Sequence, residues 1–295
     1  MGLFDKFKNA LSSSGVQRLD ISKRFSLDRH SFTGTMSKFH VATDQATKEK
    51  FGLKLLDKEK TKLFRARFKG LKKPSEAAIG KQIIHPNVVV THESGFTTTG
   101  QEYILMEYMD GPGLNVVIKN RDERIVKNRL AMIRIMAKAL QAVHDAGFIH
   151  RDICPRNYIC SKSLKDIKLI DFGLSVPDLP PYRQPGNRTG TPQYMSPEIV
   201  RRRPTDPRVD VFSFGVTVYR FLTWEHPWGS TDTSGVAALA HDSRPPTDIL
   251  QHRPKLDPRL AKAVQDCLIV NPEKRMASCK RFMATIRSVE KEDVS

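Results

Sequence analysis

Short apolar runs separated by polar turns dominate the first third of the chain. Four of these runs predict strands, at residues 39–42, 51–56, 88–90 and 103–106. Residues 75–84 have helical spacing, and the sequence His85-Pro86-Asn87 ends that helix. The pattern therefore predicts a small, mostly antiparallel sheet that carries one helix.

Helical spacing takes over after residues 110–113, which contain two glycines and a proline. Residues 127–146 place a stripe of apolar side chains on one helical face, and Gly147 ends the helix. Three further helices are predicted, at residues 206–222, 259–267 and 276–288. A short hairpin is predicted at residues 158–160 and 167–170. The fold class is therefore α+β, with a small sheet-rich lobe and a larger helical lobe.

The charge of the chain is strongly positive, with a formal net charge of +17 over 295 residues. Residues 47–73 alone contain eleven Lys and Arg against three Asp and Glu. We favour a solvated basic surface over a face that attracts acidic substrates, anionic lipid or nucleic acid. Aromatic residues do not alternate with basic ones along a groove, so no sequence-specific nucleic-acid binding is predicted.

The four cysteines show neither metal-ligand spacing nor a disulfide framework, which predicts a reducing, cytoplasmic environment. No window approaches eighteen uncharged apolar residues, so no transmembrane helix is expected. Residues 1–18 form an N-terminal extension in which Leu3, Phe4, Phe7 and Leu11 share one helical face. We favour docking of this extension on the domain, or fraying, over peripheral contact with a membrane.

The candidate chemistry lies in residues 150–157 and in the sequence Asp171-Phe172-Gly173. The first stretch contains Asp152 and, five residues later, Asn157. Phosphoryl transfer needs one carboxylate to orient the attacking hydroxyl, and an amide and a second carboxylate to hold a divalent metal against the phosphates. Oxygen ligands of this kind suit magnesium.

These motifs resemble those of the serine/threonine protein kinase family. The resemblance implies a bilobal fold with an N-lobe at residues 19–109, a C-lobe at 110–290 and a tail at 291–295. It implies ATP and Mg²⁺ as cofactors, Asp152 as the catalytic base or orienting group, and Asn157 and Asp171 as metal ligands. A protein is the implied substrate. The oligomeric state is left open.

The resemblance also implies a nucleotide site. Lys54, in a strand, matches the lysine that holds the α- and β-phosphates, and Glu76 is the carboxylate that would position it. Met106, Glu107 and Met109 match the segment that binds the adenine edge. Gly34 and Ile159 complete the set of implied nucleotide contacts.

A third group of positions resembles the scaffold around the substrate. Residues 190–198 match the docking end of the activation segment, the stretch from Asp171 to Glu198. The resemblance implies that Glu198 pairs with Arg275 in a buried bridge and that Asp210 anchors the catalytic loop. Thr191 is expected to contact the Asp152 region. A segment of this kind favours a protein over a small molecule or lipid as the substrate.

The chain departs from the family pattern in its glycine-rich loop. Glycines are expected at positions 32, 34 and 37, where the chain has Phe32, Gly34 and Ser37. Because glycine lets backbone N–H groups approach phosphate closely, weaker nucleotide binding is expected. Gly52 replaces an alanine that contacts the adenine, and this change is expected to loosen that contact.

A second departure lies in the catalytic loop, where Cys154 takes the place of a lysine that faces the γ-phosphate. We hypothesise that Arg156, which matches a compensating arginine of tyrosine kinases, restores this positive charge. An alternative is that cations lower the pKa of Cys154 and make its thiol a redox switch, but an inert residue is favoured.

The sequence therefore predicts an active serine/threonine kinase that acts on proteins, and the arginines near residues 183–203 would suit acidic ones. The main alternative is a pseudokinase that binds nucleotide or acts as a scaffold. Arg151 precedes the catalytic Asp152, and kinases with this arrangement often pair that arginine with a phosphate on the activation segment. Thr189 is the predicted site of that phosphate.

Overall fold

The computed structural model describes residues 18–34, 36–186, 188–229 and 237–293. The chain forms two compact units. The sheet unit consists of Thr91–Tyr108 and the described part of Met1–Arg67, and the helical unit of Phe68–Val90 and the described part of Met109–Ser295. The predicted helix at residues 3–11 lies outside the described residues.

The sheet unit is built on five antiparallel strands in the order β1-β2-β3-β5-β4. The strands are β1 Phe25–Thr33, β2 Ser37–Asp44, β3 Lys50–Leu56, β4 Thr91–Phe96 and β5 Glu102–Glu107. Leu53 and Leu105 pair across β3 and β5 and belong to the core cluster on one face of the sheet. Lys54 points to the opposite face because successive side chains alternate along a strand. The strands predicted at residues 39–42, 51–56 and 103–106 are confirmed.

Two short helices accompany the sheet, α1 Ile21–Arg24 and α2 Lys58–Ala66. The sequence reading of this region missed α2, so its expectation of a single helix in the sheet-rich lobe was wrong. The helix is overwhelmingly polar: only Thr61 and Phe64 are buried, and Asp57 caps it by accepting from the Lys60 backbone N–H. A narrow apolar face of this kind is masked by the surrounding lysines.

The predicted strand at residues 88–90 is also wrong. Val88 forms only an isolated bridge to Leu169, and the Val89 N–H donates to the Leu169 carbonyl. Both valines are buried in the helical unit, so their backbone groups find partners there rather than in the sheet. The strand begins one residue further on, at Thr91.

The helical unit contains ten helices within its described part. They are α3 Glu76–Gln82, α4 Leu114–Lys119, α5 Arg129–Asp145, α6 Pro180–Arg183, α7 Pro197–Val200, α8 Arg208–Thr223, α9 Ala240–Ser243, α10 Ile249–His252, α11 Pro258–Cys267 and α12 Cys279–Thr285. Two-stranded pairs join β6 Phe148–Ile149 with β9 Val176–Pro177, and β7 Tyr158–Cys160 with β8 Ile167–Leu169. The predicted hairpin and the four predicted helices of this region are therefore present.

The core of the helical unit surrounds α5 and α8. Along α5 the predicted stripe is buried, and Gly147, just beyond its end, has φ +80°. A positive φ of this kind favours glycine because it has no β-carbon. Helix α3 joins the same core through Ile79, although the sequence analysis placed residues 68–90 in the N-lobe.

No helix in the described ranges combines the length and apolar character needed to cross a membrane.

A buried ion pair ties α7 to the loop before α12. Arg275 donates to both carboxylate oxygens of Glu198, at 2.8 and 3.0 Å, and Arg275 also donates to the carbonyls of Ile269 and Val270. Glu198 is 5% exposed and Arg275 is 4% exposed. The pair predicted from the sequence is confirmed.

We predict that Arg275→Ala lowers the free energy of unfolding by about 3–5 kcal/mol, because it leaves the Glu198 carboxylate buried without its partner. Urea denaturation followed by circular dichroism measures the change. The control is Glu273→Ala, which removes an exposed pair with Arg208 and should leave stability nearly unchanged. Equal losses in the two variants would contradict the assignment.

Candidate active site

The catalytic loop is anchored by the carboxylate of Asp210 in α8. Its Oδ2 accepts from the His150 backbone N–H at 2.7 Å, and its Oδ1 accepts from the Arg151 N–H at 2.8 Å. The His144 ring lies 3.0 Å from Oδ2. Burial alone would raise the pKa of Asp210, but the hydrogen bonds from His144 and His150 outweigh it, and the pKa is lowered. The predicted anchoring role is confirmed.

The loop backbone is strained beside this anchor. Arg151 has φ +66°, and Asp171 also has φ +66°. A side chain in this left-handed region costs on the order of 1 kcal/mol or more and persists only where surrounding contacts hold it. For Arg151 the Asp210 carboxylate supplies those contacts, because it accepts from the backbone N–H groups of both His150 and Arg151.

Asp152 lies at the centre of a hydrogen-bond network. Its Oδ1 accepts from both the backbone N–H and the hydroxyl of Thr191, each at 2.8 Å. Its Oδ2 accepts from Asn157 Nδ2 at 3.0 Å, and the same nitrogen donates to the Asp152 carbonyl at 2.7 Å. The expected contact of Thr191 with Asp152 is therefore confirmed, and the carboxylate is held in one orientation.

Arg156 reaches this network through Thr191. Its Nη2 donates to the Thr191 hydroxyl oxygen at 2.9 Å, and that hydroxyl in turn donates to Asp152. The Arg156 side chain is exposed, so its guanidinium lies at the edge of the site. The sequence indicated a positive charge at Arg156. It did not indicate that Arg156 would contact Asp152 indirectly, through the Thr191 hydroxyl.

Cys154 lies below this surface and is 1% exposed. Burial, together with the charge of Asp152, raises the pKa of its thiol to about 11. A reactive cysteine needs a lowered pKa and access to solvent. The alternative of a cation-activated redox switch is therefore wrong, because the thiol is protonated at neutral pH and shielded from solvent.

The second half of the site is the turn at residues 171–173. The Ile170 N–H donates to the Asn157 carbonyl at 2.9 Å, which brings Asp171 next to Asn157. The Gly173 N–H donates to Asp171 Oδ1 at 3.0 Å. A β-carbon on Gly173 would lie 3.3 Å from Glu76 Oε2, so the Glu76 carboxylate also borders this turn.

These residues fit a magnesium ion that is also held by a nucleotide. Asn157 uses its nitrogen for hydrogen bonds, so its oxygen is the atom suited to a hard cation, as are the carboxylate oxygens of Asp171. Across the described ranges, no group of three or more His, Cys, Asp or Glu side chains is placed to hold a metal. Phosphate oxygens and water would supply the remaining ligands, as magnesium prefers.

The sheet unit carries four of the predicted nucleotide contacts. Lys54 in β3 is 7% exposed and lies between Phe39 and Ile104 on the neighbouring strands. Met106 and Glu107 end β5. Gly34 lies in the turn between β1 and β2, where its N–H donates to the Ser37 carbonyl at 2.8 Å. The turn between β1 and β2 is short, which agrees with the alignment that expects glycines at positions 32, 34 and 37 and finds only Gly34.

The helical unit carries the other three predicted positions, Glu76, Met109 and Ile159. Residues 110–113, which follow Met109, pack on β7: the Cys160 N–H donates to the Pro112 carbonyl, and Gly113 bridges to Ile159. A β-carbon on Gly111 would lie 2.0 Å from the Cys160 carbonyl oxygen, so this approach requires glycine. The pairing of Lys54 with Glu76 joins residues of different units and stays a prediction.

Comparison with known proteins identifies the family. The model of the protein kinase domain matches residues 32–285. The chain belongs to the protein kinase family. This kinase domain is 29% identical over 276 residues to serine/threonine-protein kinase PknA of Mycobacterium tuberculosis. That match covers 91% of the chain and 62% of PknA.

Two further relatives are also serine/threonine kinases. The chain is 32% identical over 232 residues to Pkn3 of Myxococcus xanthus, covering 74% of the chain and 41% of Pkn3. It is 28% identical over 249 residues to the kinase PAK mbt of Drosophila melanogaster, covering 84% of the chain and 37% of that kinase. Membership of the protein kinase family and the predicted fold class are confirmed. The kinase domain spans less than two thirds of the length of each of these relatives.

One feature of this kinase domain escaped the sequence analysis, the packing of Phe39 against Gly52. A β-carbon on Gly52 would lie 2.8 Å from Cε2 and Cζ of Phe39 and 3.0 Å from Cγ of Met106. These side chains share the face of the sheet that carries Lys54, because paired residues on antiparallel strands point the same way. The Phe39 ring therefore occupies the space that alanine would take at position 52.

We predict that Gly52→Ala lowers the free energy of unfolding by about 1–3 kcal/mol, because the added methyl group clashes with the Phe39 ring. Urea denaturation measures the loss, and Phe39→Val combined with Gly52→Ala should restore most of it. The control is Gly34→Ala, whose β-carbon would make only ordinary contacts with Ser37. Full stability of Gly52→Ala with Phe39 in place would refute the packing.

Proposed function

We propose that this kinase domain transfers the γ-phosphate of ATP to serine or threonine hydroxyls of protein substrates, with Mg²⁺. The observation that carries the proposal is the orientation of the Asp152 carboxylate, held between Asn157 and Thr191. A substrate hydroxyl beside this carboxylate would be oriented for attack and could pass its proton to it.

The residues around Asp152 have distinct parts in this reaction. Asn157 and Asp171 would hold magnesium, which when bound neutralises charge on the phosphates. Lys54 would contact the α- and β-phosphates. Arg156 would supply the positive charge that the Cys154 position lacks, since its guanidinium already bonds the hydroxyl that contacts Asp152.

A protein substrate is supported by the scaffold of the activation segment. Gly190 has φ +116°, and a β-carbon there would lie 2.7 Å from the Arg151 carbonyl, so the docking end approaches the catalytic loop closely. The Glu198–Arg275 pair holds the next turn. Arg202 and Arg203, just beyond α7, are exposed and would favour an acidic substrate.

A cytoplasmic location is part of the proposal and is supported by the cysteines. All four are free and buried, which agrees with a reducing compartment.

The chain has the expected residues at the three catalytic positions, Asp152, Asn157 and Asp171. Their presence favours an active enzyme over a pseudokinase.

The test is a transfer assay with purified protein, labelled ATP, Mg²⁺ and either an acidic or a basic generic protein substrate. We expect label on serine or threonine, faster with the acidic substrate, and a decrease of about 10²- to 10⁴-fold for Asp152→Asn. Nucleotide binding without any transfer by the wild type would establish the pseudokinase instead. Label on tyrosine would contradict the proposed specificity.

The same assay tests Arg156. Arg156→Ala should lower kcat by about tenfold or more, and Arg156→Lys, which keeps the positive charge, should recover part of it. Wild-type kcat in Arg156→Ala would show that the lost lysine charge at position 154 is not replaced from position 156.

A further inference from the structure

The activation segment is held at Tyr182 in α6, and two of its contacts come from distant parts of the helical unit. Arg151 Nη2 donates to the Tyr182 carbonyl at 2.6 Å. The Phe68 ring packs on the Tyr182 ring, with centroids 6.1 Å apart and planes at 40°. Tyr182 is 8% exposed, so both contacts lie inside the protein.

Nη2 of Arg151 bonds neutral groups of the protein itself, whereas its Nε is buried without a hydrogen-bond partner. Besides the Tyr182 carbonyl, its Nη2 donates to the Thr205 hydroxyl at 2.9 Å. Burial lowers the pKa of Arg151, although Asp210 acts in the opposite direction. The guanidinium therefore already bonds the activation segment, at the backbone of Tyr182 rather than through a phosphate.

Further bonds hold α6 on both sides. The Thr205 N–H donates to the Arg183 carbonyl at 2.7 Å, and Arg183 Nε donates to Asp178 Oδ1 at 2.8 Å. The helix is thereby tied to the stretch that precedes it and to the loop before α8. Each of these bonds uses groups that are present without modification.

The hydroxyls of the segment are largely committed to structure. Ser175 is buried and donates to the His150 carbonyl, Tyr182 is buried, and Thr191 bonds Asp152. Unlike these three residues, Thr189 is neither buried nor bonded to the catalytic loop in the described structure.

Phe68 also contacts the stretch that precedes α3. Lys73 Nζ lies 5.7 Å from the centroid of the Phe68 ring, a cation–π contact within the stretch that leads into Glu76. Phe68 also packs against the cluster that contains Ile149 and Met195. The aromatic contact therefore joins the activation segment to residues 68–73, the stretch that precedes α3.

We propose that Phe68 and Tyr182 are positioning residues that hold the activation segment in its working arrangement without a phosphate on the segment. The proposal rests on the phosphotransferase activity proposed above. It differs from the expectation of a phosphate on Thr189, because the arginine that would receive that phosphate is already bonded to the segment.

The test compares the untreated and phosphatase-treated kinase domain with Thr189→Val, Phe68→Ala, Phe68→Tyr and Tyr182→Phe. Mass spectrometry confirms removal of phosphate from residues 171–200. We expect phosphatase treatment, Thr189→Val and Tyr182→Phe to leave kcat unchanged. Phe68→Ala should lower kcat by about tenfold to a hundredfold with little change in the KM for substrate, and Phe68→Tyr should restore it.

Hydrogen exchange supplies a second measurement that does not depend on activity. The amides of Asp178, Tyr182 and Thr205, which donate to backbone carbonyls, should be protected in the phosphate-free wild type and exchange faster in Phe68→Ala. Phe96→Ala, which removes a 44% exposed ring from β4, is the matched control and should change neither kcat nor exchange.

Two results would overturn the proposal: loss of activity after phosphatase treatment, or wild-type kcat and protection in Phe68→Ala. Failure of the proposed function gives a different result, in which untreated wild type transfers no phosphate at all. In that case the exchange of the Asp178, Tyr182 and Thr205 amides still decides whether Phe68 holds the segment.

Discussion

The carboxylate of Asp210 constrains the backbone on which the rest of the site depends. It accepts two consecutive N–H groups, from His150 and Arg151, and so holds Arg151 in a left-handed conformation. That conformation turns the chain so that the next residue, Asp152, meets Thr191 and Asn157. Because the anchor is buried and paired with His144, the bonds are shielded from competing water.

The departures from the family pattern are met by neighbouring residues. Cys154 is buried, and the guanidinium of Arg156 bonds the Thr191 hydroxyl that contacts Asp152. Gly52 lacks a β-carbon, and the Phe39 ring fills its place. In both cases a neighbouring side chain lies where the altered residue leaves space or removes charge. This arrangement favours an active kinase over a pseudokinase.

The sequence predicted what local pattern and motif spacing determine. The strands at β2, β3 and β5, the helices α5 and α8, the Asp210 anchor and the Glu198–Arg275 pair were all expected from residues close to a motif. Helix α2 was not predicted because only two of its side chains are buried, so its sequence shows almost no apolar periodicity. Residues 88–90 were wrongly predicted as a strand of the sheet because the buried Val88 and Val89 pair with Leu169 of β8 instead.

The contacts that could not be predicted join residues far apart in the chain. Arg156 bonds the Thr191 hydroxyl, and Phe68 packs on Tyr182, across separations that no local pattern records. The same limit applies to Phe39 and Gly52, whose complementary sizes become visible only when the strand register is known. Such pairs depend on side-chain volume and direction rather than on the type of element.

The most direct measurement is the kcat for phosphate transfer of Asp210→Asn, taken where circular dichroism shows that the variant is folded. Asparagine keeps the shape of the side chain but turns an N–H group toward one of the two backbone donors. We expect kcat to fall by about tenfold or more, because the backbone before Asp152 loses half of its anchor. A folded variant with wild-type kcat would contradict the account.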